Sequence, residues 1–513
     1  MTHDPHRPTI HFSPPANWMN DPCGLVWHDG VFHLYYQHNP HENRWGPMHW
    51  GHAVSEDLFH WRDRPIALFP DDTHGMAFTG SAVCVAQRDL QPGQAHGPQS
   101  SSPVGPEPLR AIYTGALPGE SIHSTVQQQC LATSTDGERW TPRGVVLPNP
   151  GIEDFRDPKV GRHPDTGGWF LVLAAGDHVQ FFSSPDLERW RYESSFGHGL
   201  GYAEGEWECP DLFELPLPGG GSRWVLVVHV GRGLSNRFAG AQYITGSFDG
   251  RRFHPAEEDF RPVDHGHDFY AAQSWSETKQ RRIWLAWASH WAHSDRPHTR
   301  GWAGTMTLPR ELSLIRDAHG AVELCQRPVR EFSQLLEHTL RPDADRSRRQ
   351  NAPAAPGGKR GSREHLAVRW GACSSVPSST VVSWITNAAA AYRVATRSTE
   401  ATTVRVVLEF GGAGEVVIER TPTTLRIDRS ACDMGSFSAH IDTDKTVPLT
   451  AAFGTMEIVF DHSILEVFVD DGAIVTTDLL VPQESLSRIT YAVKAGAPAG
   501  TCTVHTLRQS IIR

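Results

Sequence analysis

Three acidic residues stand in short runs that include a proline: Asp21 in Trp-Met-Asn-Asp-Pro (18–22), Asp157 in Phe-Arg-Asp-Pro (155–158) and Glu208 in Trp-Glu-Cys-Pro (207–210). Each run precedes a short strand, a turn and a longer apolar strand, so the three acids hold one place in a repeated unit. A single Asp-Pro ordinarily starts a turn and carries no chemistry. Equivalent slots of a radial repeat, however, converge on one cavity, where like charges in a partly dry site raise at least one pKa. A protonated acid beside an ionised carboxylate is what cleavage of a glycosidic acetal requires. The run His267-Asp268-Phe269-Tyr270 adds a fourth polar group to the same rim.

The elements that must position these acids show themselves as repeats. Ser-x-Asp-x-x-x-aromatic occurs at Ser55 to Trp61, Ser134 to Trp140, Ser184 to Trp190 and Ser247 to Phe253. The Asp suits a tight turn and the aromatic suits the returning strand, so each copy reads as one hairpin corner. Interleaved with them are five apolar strands at Phe32–Gln37, Arg110–Gly115, Trp169–Ala175, Trp224–His229 and Ile283–Trp287. This pattern predicts five four-stranded blades of a β-propeller, with the acids at the start of innermost strands. The Pro/Gly/Ser-rich stretch Gln91 to Pro108 reads as an insertion in blade two.

After Leu308 the pattern changes. Val329 to Leu340 has near-helical apolar spacing and predicts a short connecting helix, and Arg341 to Arg363 reads as a Pro/Gly/Arg-rich linker. The rest alternates at period two, which predicts a sandwich with Asp461 and Glu466 at solvent-facing strand positions. The fold class expected is therefore all-β: a five-bladed β-propeller over residues 1–325, a helical connector and linker over 326–363, and a C-terminal β-sandwich over 364–513.

Composition narrows the partners. Lys+Arg 47 against Asp+Glu 58 gives a net charge of −11 in 513 residues, which argues against nucleic acid or an anionic membrane and for a neutral or cationic ligand. The 17 Trp residues suit stacking on sugar faces as well as β cores. Eight Cys without a C-x-x-C pair read as buried free thiols. His265-Gly-His267 and His290-Trp-Ala-His293 offer imidazoles but no third ligand by spacing, so no metal is expected. Asp29, Asp136, Asp186 and Asp249 read as turn residues. Met1 to His11 has no apolar core of a signal peptide, which predicts a cytoplasmic protein.

A family resemblance rests on these and neighbouring residues. The runs HFSPPANWMNDPCGL (11–25), YYQHNP (35–40), WGPMHWGHAVSEDLFHW (45–61), FTGSAV (78–83), FRDPKV (155–160), WECPDLFEL (207–215), DFYAAQSW (268–275) and MTLPREL (306–312) together resemble glycoside hydrolase family 32. That family holds the invertases, levanases and exo-inulinases. DHSILEVFVDDG (461–472) is similar to its C-terminal sandwich.

The resemblance implies a retaining exo-β-fructosidase that releases fructose from sucrose, fructo-oligosaccharides or fructan. Asp21 would be the nucleophile, Glu208 the acid and base, and Asp157 the transition-state stabiliser, with the Asp21 and Glu208 carboxyls about 5–5.5 Å apart. Asn20, Gln37 and Arg156 would hydrogen-bond the fructosyl unit, Trp45 and Phe78 would wall it, Thr79 would add a hydroxyl, and Trp302 would close the leaving-group side. No cofactor is implied. Cys23 stands where the family usually has Asn and Thr79 where it has Ser, and the segment Gly231 to Ala241 departs from the family's loop. Two alternatives use the same scaffold: a fructosyltransferase and a non-catalytic sugar-binding protein. The partner expected is a small-molecule or oligosaccharide fructoside, and the oligomeric state is open.

Overall fold

The structure is a computed structural model that describes residues 4–511 except 86–107, 120–124, 203–204, 232–239, 295–298, 318–319, 344–379, 388–390, 400–401, 412–413, 436, 438–442, 450–453 and 495–499. Most of the proposed insertion at 91–108, most of the linker at 341–363 and most of the segment 231–241 lie outside the described residues. Blade one is Asn17–His28, Val31–Asn39, His49–Ser55 and Arg62–Leu68. Blade two is Met76–Cys84, Leu109–Pro118, Thr125–Ser134 and Thr141–Leu147. Blade three is Phe155–Arg162, Trp169–Ala175, Val179–Ser184 and Arg191–Phe196. Blade four is Trp207–Pro216, Ser222–Val230, Gly240–Phe248 and Phe253–Pro255. Blade five is Tyr270–Ser274, Ile283–Trp287, Arg310–Arg316 and Val322–Pro328. The first strands of successive blades pack around one axis, blade five's against blade one's.

The four Ser-x-Asp corners lie where expected, between the third and outermost strands of blades one to four. In each, the Asp Oδ1 accepts backbone N–H groups two and three residues on, as Asp136 does from Glu138 and Arg139 at 2.8 and 3.0 Å. The corner aromatics then fold back between blades: Trp140 lies edge-on to Tyr35 of blade one, and Phe253 of blade four packs on Phe196 of blade three. Hydrophobic side chains are thus buried mainly between adjacent blades.

Blade five has no such corner, and its chain makes an excursion that the other blades lack. Between its second and third strands, Trp302–Ala303 pairs in parallel with Asn17–Trp18 and adds a fifth strand to blade one. The last blade's chain thereby fastens the first.

Two six-stranded sheets form the sandwich, its core running from Trp384 to Val504. The helix expected over Val329–Leu340 is instead a 3-10 helix, Arg330–Leu335, followed by a strand, Leu336–Thr339, that pairs with Thr501–Leu507 of the sandwich. Leu335 points inward and Leu336 is half-buried, a pair that serves a single tight turn running into a strand as well as it serves a longer helix.

Asp461 and Glu466 do not face solvent: both are fully buried where the sandwich meets the propeller. Asp461 accepts the backbone N–H groups of Thr9, Ile10 and His11 and the Thr9 hydroxyl. Its Oδ2 also lies 2.8 Å from His11 Nδ1. Glu466 takes Leu308 N at 2.6 Å and Arg310 Nη2 at 3.0 Å. Gly266 lets a propeller loop press against this sheet, since a Cβ there would meet the Thr477 carbonyl oxygen at 2.0 Å. Seven of the eight cysteines are described and no disulfide joins any two of them, five being buried and Cys84 and Cys502 half-buried; Cys373 lies outside the described residues.

Candidate active site

All five inner strands break register against their second strands at the same height. Two residues on the inner strand oppose one on its partner: Asn20-Asp21, Phe78-Thr79, Asp157-Pro158, Cys209-Pro210 and Ala271-Ala272. Such a bulge re-aims a side chain and tolerates a proline that has no N–H to give the ladder. Asp157, Cys209 and Ala271 adopt φ of 64°, 44° and 54° at these points, in the left-handed region that L-residues seldom occupy. The acids therefore lie within the innermost strands and not ahead of them, Asp21 and Asp157 at bulges and Glu208 immediately before one.

Bulge residues of the first three blades face one cavity of about 520 Å³ at the propeller axis. Asn20, Asp21, Gln37, Trp45, Phe78, Thr79, Arg156, Asp157 and Glu208 all line it. Trp45 is half-exposed at the mouth and stands edge-on to Phe78, with ring centroids 6.2 Å apart. Trp302 is not in this wall: it is buried, and its Nε1–H donates to Asp4 at 2.8 Å. Trp291 and Ser294 line the cavity instead, together with Gln127, Asp154 and Glu206.

Asp21 is held from one side only. Thr79 Oγ1 donates to Asp21 Oδ2 at 2.9 Å and Cys209 Sγ approaches the same oxygen at 3.5 Å. Asp21 Oδ1 is buried without a hydrogen-bond partner among the described residues. Burial, then the nearby Glu208 charge, raises the Asp21 pKa to about 6 against the hydrogen bonds from Asn20, Thr79 and Cys209. Asp157 is also raised, by burial first, with Arg156 pulling it down and Glu208 and Asp21 pushing it up. Its Oδ2 takes Cys209 N at 2.9 Å, and its own N–H goes to Thr114 Oγ1.

Glu208 is gripped at both oxygens. Arg156 gives Nε and Nη2 to Oε1, and Tyr270 of blade five gives its hydroxyl to Oε2. Burial and the Glu208 charge lift the Tyr270 pKa well above its ordinary range, so it stays a donor. Asp268, expected on this rim, turns away: its Oδ2 accepts Leu479 N of the sandwich and its Oδ1 meets His293. Arg156 is itself clamped by Asp154 and Gln127.

Two residues further along the inner strands the axis is filled. Lys159 Nζ reaches Asp211 Oδ1 at 3.2 Å and Ser274 O at 2.7 Å, tying blades three, four and five. The cavity is consequently blind, open at the Trp45 side.

The sequence model of the Glycosyl hydrolases family 32 N-terminal domain matches residues 11–328, and that of the Glycosyl hydrolases family 32 C terminal matches residues 366–508. A levanase of Bacillus subtilis (strain 168) is 37% identical, the alignment covering 98% of this chain and 71% of that protein. A sucrose-6-phosphate hydrolase of Escherichia coli is 38% identical over 64% of this chain and 66% of its own length. The crystal structure of an exo-inulinase from Aspergillus awamori superposes with a TM-score of 0.79 at 26% identity, covering 99% of both chains.

Proposed function

Because the chain belongs to glycosyl hydrolase family 32, we propose that Asp21, Glu208 and Asp157 cleave terminal β-fructofuranosyl residues by the retaining route. The enzyme is a glycoside hydrolase, a fructosidase acting on sucrose and fructans. The Asp21 carboxylate forms a bond to the fructosyl anomeric carbon while the bond from that carbon to the leaving oxygen breaks, and the Glu208 carboxyl gives that oxygen its proton. In the second half, Glu208 takes a proton from water, the water oxygen bonds the anomeric carbon, and Asp21 departs. Asp157 accepts hydrogen bonds from sugar hydroxyls that strengthen in the transition state.

One observation carries this reading: Asp21, Asp157 and Glu208, each from a different blade, line one cavity, with Asp21 and Asp157 almost wholly buried there. The blind end formed by Lys159 and Asp211 suits a chain terminus, hence exo action. Arg156, the one cation among the described residues that line the cavity, is already engaged by Glu208 and Asp154. That favours neutral fructosides over a phosphorylated disaccharide, and the net charge of −11 gives neither nucleic acid nor an anionic membrane a role.

Time-resolved product analysis on sucrose, a short inulin oligosaccharide and levan tests it, with Asp21→Ala and Glu208→Gln as blanks. Free fructose as the main product, lost in both variants, is the expected result. Longer oligosaccharides at high sucrose would make the enzyme a transferase, and full activity in either variant would overturn the assignment.

A further inference from the structure

Outside the cavity, two groups of metal-ligating side chains come together: Asp177, His178 and His198 at the surface, and His267, Asp268 and His293 beneath it. By spacing alone the histidine pairs of this region lack a third ligand, and the fold supplies one in Asp268. We infer that His267 Nδ1, Asp268 Oδ1 and His293 Nε2 form a binding site for a divalent transition-metal ion of the Zn2+ class.

The three ligand atoms lie within 4.8 Å of one another. Asp268 Oδ1 is 2.7 Å from His293 Nε2 and 3.5 Å from His267 Nδ1. The second distance is at the outer limit of a hydrogen bond, so the carboxylate oxygen holds one imidazole firmly and leaves the other near but loose. The His267 ring stacks on that of His293 at 5.8 Å, and His290 adds a third ring 4.3 Å from His267. Asp268 and His293 are buried, whereas His267 keeps 17% of its side chain exposed and gives an ion a way in.

Partners that would orient the ligands are already in place. Leu479 N holds Asp268 Oδ2 at 2.8 Å, and the His267 backbone N–H donates to Asp478 Oδ1 at 3.2 Å. Phe437 packs edge-on to the His293 ring. Two imidazoles and one carboxylate oxygen suit Zn2+, Ni2+ or Cu2+ and not Mg2+ or Ca2+. The ion takes the His293 Nε2 lone pair and leaves the ring proton on Nδ1.

The ion is no part of acetal cleavage. It joins blade five's approach to the loop that carries Trp291 and Ser294 into the cavity, while the sandwich holds Asp268 and His267 from behind. Occupancy would therefore stiffen the junction of both domains and one wall of the active site.

The test is calorimetric titration of untagged, chelator-treated protein with ZnCl2 in a His198→Ala background, which removes the exposed cluster. One saturable ion per chain is expected, weakened at least tenfold by adding His267→Gln, with no response to MgCl2. Zn2+ should also raise the melting temperature of the His198→Ala protein but not of the double variant, a comparison that first requires both to melt cooperatively. Absence of saturable Zn2+ binding, or equal affinity with and without His267→Gln, would overturn the site.

Discussion

Arg156 meets Glu208 with two N–H groups on one carboxylate oxygen, Nε at 3.2 Å and Nη2 at 3.0 Å from Oε1. Lysine has the charge but not the planar fork, so Arg156→Lys keeps at most one of these bonds. Loss of one charged hydrogen bond is worth about 1.5–3 kcal/mol, and we expect kcat on sucrose to fall roughly ten- to a hundredfold. Steady-state kinetics check this, and a kcat within twofold of wild type would remove Arg156 from any role in setting Glu208.

Asp21 must be ionised to attack, and burial with the Glu208 charge places its pKa at about 6. The acid limb of kcat/KM should then centre near pH 6 and fall about tenfold per pH unit below it. The Thr79 hydroxyl favours the ionised form, so Thr79→Val should move the limb to higher pH. A limb that stays put or moves down would show that another group controls it.

The same group makes the fold less stable at neutral pH. Its folded pKa of about 6 lies above the ordinary 3.8, so its contribution is fully present below the ordinary value and is lost as pH rises through the folded one. That loss is roughly 3 kcal/mol between the two values. Asp21→Asn carries no charge to bury and should raise the urea midpoint at pH 7.5 while leaving it nearly unchanged at pH 4. An equal or lower midpoint at pH 7.5 would contradict the burial of a charged Asp21.

At the domain junction the sign for His11 is reached by a different route. Burial would lower its pKa, but hydrogen bonds and charges from Asp461 and Glu466 outweigh burial and raise it to about 9. The stability it contributes is whole below pH 6.5 and disappears as pH rises through about 9. Burial opposes Asp461 too, yet His11 holds it at about 2, so its share is lost only as pH falls through that value. We expect His11→Gln to melt well below wild type at pH 6 and nearly with it at pH 10.

Much of this was legible in the residues, and the exceptions have physical causes. The three acids were found because proline-containing runs such as Asp21-Pro22 and Asp157-Pro158 recur at one place in the repeat, and the other six cavity residues only because their runs resemble the family's. The bulge itself was not visible, since it is a mismatch in count against a second strand and not a property of the run. Asp461 and Glu466 were misread because period-two alternation marks a second face without saying whether water or another domain covers it. Tyr270 and Trp291 gave weaker signals: one stood in a run noted for its polarity, the other between two histidines that drew attention to themselves. Trp302 looked like a pocket wall because nothing in sequence announces that a chain will leave blade five to close blade one.

The bonds from Thr9 to Asp461 span 452 positions of the chain. During translation the amides of Thr9, Ile10 and His11 leave the ribosome early, and the carboxylate that receives them emerges after all five blades have been made. Blade one likewise waits for Trp302 and Ala303 before its sheet is complete. The propeller can therefore gather its blades in order of synthesis, but its first segment is secured only when the sandwich is nearly finished, so chains stalled before that point should be the ones that chaperones and proteases meet.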